Sequence, residues 1–229
     1  MIEFLFLDLD DTILDFRKAE HRAVRQAISE AGIPATDAVC ARYSEINLRH
    51  WQMLERGEIT REEVLVHRFT QLFEELGHPV DGEKIARRYE ALLGQGHDYL
   101  PGAEQTVKQE LYGKYRLFLA SNGTARVQHS RLTDAALYPY FEQVFVSEEL
   151  GANKPSREFF RAAFDRIPDF DPARAMMVGD SLTSDILGGL QAGIATCWVN
   201  LHGTTPSGEI VPDHEIRSLT ELPRLLKKL

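Results

Sequence analysis

Cysteine is almost missing from this chain of 229 residues: Cys40 and Cys197 stand far apart, with no C-x-x-C spacing. Two isolated thiols exclude a disulfide framework and a thiolate metal site, and they fit reduced side chains in a cytosolic protein. Positive charge is in deficit as well. Lys and Arg number 26 against 35 Asp and Glu, a formal net charge of −9, which argues against a polymeric nucleic acid or an anionic membrane surface as partner. No apolar run approaches the length that spans a bilayer, and an acidic Glu3 stands where a secretion signal would carry Lys or Arg. The expectation is a soluble, cytoplasmic protein. Internal repeats and low-complexity tracts are absent, and the eight histidines show no metal-ligand spacing such as H-E-x-x-H, so none is assigned a role.

Apolar residues make up 43% of the chain, enough for a globular core, and its length suits one core plus an insertion. The first informative stretch is Phe4-Leu5-Phe6-Leu7, a short bulky run that reads as a buried strand of a parallel sheet. It ends in Asp8-Leu9-Asp10-Asp11-Thr12. The carboxyl ends of such strands are where open α/β sheets place their chemistry, and two carboxylates facing one small volume repel unless a cation lies between them. Mg²⁺, which favours hard oxygen donors, suits that position. An acidic turn that caps a following helix would account for the same residues.

From Arg17 to about Leu93 the pattern is helical. Ala23, Val24, Ala27 and Ile28 recur at helical spacing up to Gly32 and Pro34; a second segment spans Asp37 to Glu55; Thr60-Arg61-Glu62-Glu63 reads as a capping box; and a fourth segment runs from Gly82 to Leu93. Four helices with short connections and no strand predict a helical bundle over residues 17–94, inserted into a core formed by residues 1–16 and 95–229. Strands and helices alternate afterwards. A helix is expected over Gln105 to Leu111, and strands at Tyr115 to Ala120, Gln143 to Val146, Ala175 to Val178 and Ala195 to Val199. His214 to Ile216 adds a short edge strand, and Ser218 to Glu221 a second capping box. The implied fold class is α/β, a Rossmann-like parallel sheet sandwiched by helices.

Three predicted strands end in groups suited to phosphate chemistry: Asp8 and Asp10, then Ser121 and Asn122, then Gly179-Asp180 with Asp185 five residues on. A parallel sheet brings these ends to one edge. Ser121 and Asn122 could donate to phosphoryl oxygens or cap a helix. Asp180 and Asp185 could serve a metal, one directly and one by orienting a water or a lysine, or could be turn and N-cap residues. Lys154, ahead of a helix begun by Pro155 or Ser156, could neutralise a phosphate or be a solvated surface charge.

Phe6-Leu7-Asp8-Leu9-Asp10-Asp11-Thr12, Leu119-Ala120-Ser121-Asn122-Gly123, Lys154-Pro155 and Val178-Gly179-Asp180 with Asp185 together resemble the four ordered motifs of the haloacid dehalogenase superfamily. The helical insertion resembles that superfamily's cap. The resemblance covers nearly the whole chain and implies a three-layer α/β/α core with a four-helix-bundle cap. It also implies a phosphomonoester hydrolase with Asp8 as nucleophile and Asp10 as leaving-group acid. Ser121 and Lys154 would act on the transferring phosphoryl group, which Asn122 would also help to bind. Mg²⁺ would be held by Asp8, the Asp10 backbone carbonyl and Asp180, with Asp185 in the metal set directly or one shell out. The superfamily's dehalogenases lack an acid at the position of Asp10 and need no metal, so the sequence departs from them there.

A narrower similarity, through Ile46-Asn47, Trp51, Gly57-Glu58-Ile59-Thr60 and the stretch from Asp185 to Asn200, is to bacterial 5'-nucleotidases acting on pyrimidine nucleotides. It implies a small phosphate ester, a nucleotide, as substrate, with Phe16, Asn47 and Trp51 facing the base. Trp51 as bundle core is the competing expectation. A sugar-phosphate phosphatase, a phosphomutase or a non-catalytic phosphoacceptor domain would share part of this residue set.

Overall fold

The computed structural model describes residues 1–78, 80–205 and 208–229. It separates into two units, one formed by Met1–Asp15 with His97–Leu229 and the other by Phe16–Gly96.

The inserted unit holds four helices, α1 (Phe16–Glu30), α2 (Asp37–Glu55), α3 (Arg61–Glu75) and α4 (Gly82–Leu93). Local sequence sets their ends. Thr36 accepts from the Val39 amide ahead of α2, and Asp81 accepts from the Lys84 amide ahead of α4. The capping box forms ahead of α3, with the Thr60 hydroxyl accepting from Glu63 N–H and the Glu63 carboxylate accepting from Thr60 N–H at 2.7 Å. Helix α1 packs on α2 and α4, and α3 on the same two. Tyr43, Phe69 and Tyr89 fill the interior around a buried Arg68, whose guanidinium carbon lies 4.9 Å from the Tyr89 ring centroid.

The other unit is built on a six-stranded parallel sheet: β1 (Phe4–Leu7), β2 (Arg116–Ser121), β3 (Gln143–Val146), β4 (Ala175–Gly179), β5 (Ala195–Val199) and β6 (His214–Ile216). Their order across the sheet, β3-β2-β1-β4-β5-β6, is that of the Rossmann fold. Period-two alternation sorts the side chains onto two faces. Leu5, Leu7, Leu117, Leu119, Met176 and Val178 join one apolar cluster with Val107, Leu111 and Leu132. Phe4, Phe6, Phe118, Ala120 and Met177 join the other with Phe159, Phe160 and Ala163. The helices that cover these faces include α5 (Ala103–Gln105), α6 (Ala125–Asp134), α7 (Ser147–Leu150), α8 (Arg157–Phe164), α9 (Leu187–Ala192) and α10 (Leu222–Leu226). Each buried Phe or Leu contributes about 1.5–3 kcal/mol, so β1, buried over its whole length, is a rigid base for whatever follows it. No helix among the described residues is long and apolar enough to cross a membrane.

Two local expectations change, in the helix ahead of β2 and in the second capping box. The helix expected over Gln105 to Leu111 is α-helical only through Ala103–Gln105 and continues as a π-helical turn, Thr106–Leu111. Asp185 likewise falls in a π-helical turn, Leu182–Ile186, ahead of α9. The second capping box does not close: Ser218 accepts from Thr220 N–H, and Glu221 reaches past it to Arg217 N–H at 3.0 Å.

Candidate active site

The central strand β1 has β2 on one side and β4 on the other, so its carboxyl end lies where chain connections leave the sheet in opposite directions. Asp8 extends the pairing by one residue through its N–H to the Val178 carbonyl at 2.9 Å. The chain then turns. Ile13 and Leu14 both donate to the Leu9 carbonyl, and Asp11 takes a φ of +50°, a left-handed conformation that Asp tolerates better than most residues. Asp8 is buried and the Asp10 side chain stays partly exposed.

Lys154 is the hub of the cluster. Only 1% exposed, it spends all three ammonium hydrogens, on Asp8 Oδ1 at 2.7 Å, Asp185 Oδ1 at 2.6 Å and the Ala120 carbonyl at 2.6 Å. Its backbone is fixed by Asn122, whose Oδ1 accepts from Lys154 N–H and whose Nδ2 donates to the Lys154 carbonyl, each at 2.8 Å. The Asn122 side chain is thus a clamp between the β2 and Lys154 loops. Ser156 caps α8 immediately afterwards.

The third edge is set by β4. Asp185 Oδ2 accepts from Ser181 N–H at 3.0 Å, and Trp198 Nε1 donates to the Asp180 carbonyl at 2.7 Å. Gly179 is required here because a Cβ at that position would run into the Asp185 carboxylate. One oxygen from each of Asp8, Asp180 and Asp185 falls within 4.8 Å of the others.

These acids cannot all be ionised cheaply. Burial pushes the Asp8 carboxyl up to about 8, with Asp185 and Asp10 adding to the effect and Lys154 opposing it. Enclosure, together with Asp185 and Asp8, raises Asp180 well above the usual carboxylate range. Burial works against the Lys154 charge, yet Asp185 and Asp8 outweigh it and hold the ammonium protonated more firmly than in water. Three carboxylates face one ammonium, two negative charges in excess when all are ionised. A divalent cation with a preference for oxygen donors matches that excess in sign, size and ligand type.

Ser121 closes the β2 side. It is buried, and its hydroxyl oxygen accepts from Gly123 N–H at 3.1 Å and Gln128 Nε2 at 2.8 Å. Gln128 and its neighbour Arg131, on α6, were not expected to belong here. Gln128 Nε2 also donates to Asp10 Oδ2 at 2.7 Å, while Arg131 Nη1 donates to Asp10 Oδ1 and to Gln128 Oε1. A signal for them exists in the sequence. Gln128 and Arg131 stand three residues apart, interleaved with Val127 and Leu132 on the buried face of α6, and polar side chains on an apolar face need partners.

The structure brings Asp8, Asp10, Ser121, Asn122, Lys154, Asp180 and Asp185 together on one unit. Phe16, Asn47 and Trp51 belong to the other. Asn47 is only 4% exposed, and both ends of its amide are engaged, Nδ2 with Glu20 and Oδ1 with Arg68, each at 2.7 Å. It bridges two buried charges inside the bundle rather than offering a free polar group. Trp51 is half-buried, with the Arg61 guanidinium carbon 5.6 Å from its ring centroid, and Phe16 opens α1, also half-buried.

Comparison with known proteins fits this geometry. A profile described as haloacid dehalogenase-like hydrolase matches residues 2–193. The crystal structure of the HAD-hydrolase YfnB from Bacillus subtilis bound to magnesium superposes with a TM-score of 0.94 at 40% identity, covering 98% of each chain. The chain is 37% identical to pyrimidine 5'-nucleotidase PynA of Streptococcus pneumoniae over 99% of its length and 95% of the relative's. It is 30% identical to pyrimidine 5'-nucleotidase YjjG of Escherichia coli over 99% and 98%.

Proposed function

The chain belongs to the haloacid dehalogenase-like hydrolase family, and from that premise we propose that it is a Mg²⁺-dependent phosphomonoester hydrolase. We take the substrate to be a nucleoside monophosphate, with pyrimidine bases preferred. The observation that carries the chemistry is the cluster of Asp8, Asp180, Asp185 and Lys154 at the carboxyl edge of the sheet, with a second carboxylate, Asp10, standing beside it and outside it. The preference for a nucleotide rests on the names of the relatives.

In this reading Asp8 attacks phosphorus in line, dividing one displacement into formation and hydrolysis of an aspartyl-phosphate. Asp10 protonates the departing ester oxygen and then takes a proton from the attacking water. Ser121 and Lys154 donate to the phosphoryl oxygens, where charge develops. Bound Mg²⁺ would be held by the Asp8 and Asp180 carboxylates and the Asp10 backbone carbonyl, and supplies charge that keeps Asp8 ionised and shields it from an anionic substrate. Asp185, with both oxygens engaged by Lys154 and Ser181 N–H, acts by orienting the lysine. Choice among esters is assigned to the inserted helices, with Phe16 and Trp51 as the aromatic surface for a base.

The test is inorganic phosphate release from a panel of nucleoside monophosphates and sugar phosphates, with Mg²⁺ and again with EDTA. Mg²⁺-dependent release favouring pyrimidine nucleotides is the expected result. Release favouring sugar phosphates would remove the nucleotide assignment and leave the core chemistry, and release unaffected by EDTA would remove the metal.

A further inference from the structure

Three hydrogen bonds tie the helix α6 to the two groups flanking the nucleophile, and a fourth joins the two donors to each other. Arg131, wholly buried, gives Nη1 to Asp10 Oδ1 and to Gln128 Oε1, the latter at 3.1 Å. Gln128, 1% exposed, gives Nε2 to Asp10 Oδ2 at 2.7 Å and to Ser121 Oγ at 2.8 Å. The orientation of the Gln128 amide follows from chemistry. A guanidinium only donates, so the Gln128 atom beside Arg131 is the oxygen, which leaves the amide nitrogen to face Asp10 and Ser121. With the amide fixed in this sense, Ser121 Oγ accepts from two N–H donors, Gln128 Nε2 and Gly123 N. Both lone pairs of that hydroxyl are then used, and its hydrogen must point away from them.

We propose that Gln128 and Arg131 are positioning residues: together they hold the Asp10 carboxyl in one plane as the proton-transfer group and turn the Ser121 hydroxyl into an obligate donor for a phosphoryl oxygen. The inference rests on the reading of Asp10 as leaving-group acid. In the first half-reaction the bond from Asp8 to phosphorus forms as the ester P–O bond breaks, and the leaving oxygen takes the Asp10 proton. In the second, water attacks phosphorus, its proton passes to Asp10, and the aspartyl-phosphate bond breaks. Each donor on Asp10 uses one lone pair of one oxygen, which fixes the carboxyl group without occupying it. Loss of either donor frees the carboxyl to rotate, and misplacement of a proton donor is felt most where the leaving group is a poor one.

The discriminating experiment compares kcat/KM for a nucleoside monophosphate, whose alkoxide leaving group needs a proton, with that for p-nitrophenyl phosphate, whose phenolate does not. Q128M and R131M are each expected to lose about ten-fold more on the nucleotide than on the aryl ester, a fraction of what general acid catalysis contributes. R131K, which keeps a donor, is expected to restore most of the difference. Q128M and S121A should each also weaken inhibition by inorganic phosphate several-fold, the first because the hydroxyl direction is lost and the second because the hydroxyl itself is. Should R131M fail to fold, Q128M carries the test. Equal losses on both esters in Q128M, with D10N retaining the selective loss, would overturn the positioning role alone. A D10N variant that loses equally on both esters would overturn the acid role of Asp10 and this inference with it.

Discussion

Replacing Lys154 with Met removes the cation in direct contact with both Asp8 and Asp185, and the cost can be worked from the contacts. The ammonium is 1% exposed and makes three hydrogen bonds, two of them to buried carboxylates. Deleting one partner of a buried ion pair leaves charge with neither water nor a counter-ion, at about 3–5 kcal/mol. For a chain of this length that amounts to a fall of roughly 6–20 °C in the melting temperature. The assay can be confined to the sheet unit, because the two tryptophans divide between the units, Trp51 on one and Trp198 on the other. In a W51F background Trp198 reports alone, and its indole N–H already touches the Asp180 carbonyl. Adding D185N to K154M removes one of the stranded charges, so the double variant should be more stable than the sum of the single losses, by about 0.5–3 kcal/mol. A K154M variant within about 0.5 kcal/mol of its parent, or strict additivity with D185N, would refute the argument that the cluster is a mutually dependent set of charges.

Gly179→Ala should sharply reduce turnover while leaving the inserted helices intact, because the added Cβ displaces the Asp185 carboxylate that holds Lys154; steady-state kinetics with far-UV circular dichroism checks both parts. Thr60→Ala opens the capping box at the start of α3 and should cost the helical unit about 1 kcal/mol in denaturant unfolding followed through Trp51. Glu30 is held down to about 2 by hydrogen bonds from Arg88 and then Gln26, and Glu75 to about 2 by Arg42 and then Gln71. Their folded values lie below the ordinary 4.5, so what they add is complete above about pH 4.5 and is lost as pH falls through 2. The double variant E30Q/E75Q should therefore show a flatter loss of helical-unit stability across that window, with the difference shrinking in high salt as expected for exposed pairs.

Much of this site is legible in the sequence because its parts are local. A bulky run such as Phe4 to Leu7 has one stable place, the middle of a covered parallel sheet, and the acids that follow it then have to sit at the sheet edge. Thr60 and Glu63 predict a box that forms as expected, since its partners are three residues apart. What escapes is set by distant partners. Nothing near Asn122 announces that its amide will bind the backbone of Lys154, 32 residues on, and nothing near Asn47 announces Glu20 and Arg68. Gln128 and Arg131 were missed for the same reason, because their target lies 118 and 121 residues earlier in the chain. The closing capping box failed for a different one: a 3₁₀ turn at Leu219–Glu221 draws the amide of Thr220 to Ser218, two residues away rather than three, and frees Glu221 to reach Arg217.

The central claim is that Asp8 carries the phosphoryl group. Acid quenching during turnover of a nucleoside monophosphate with Mg²⁺, followed by mass spectrometry of the tryptic peptide Met1–Arg17, measures it directly. The expected result is one phosphoryl adduct on that peptide, placed at Asp8 by fragmentation, and neither adduct nor turnover in D8N. Turnover that survives in D8N, or an adduct mapped to any other residue, would contradict the account.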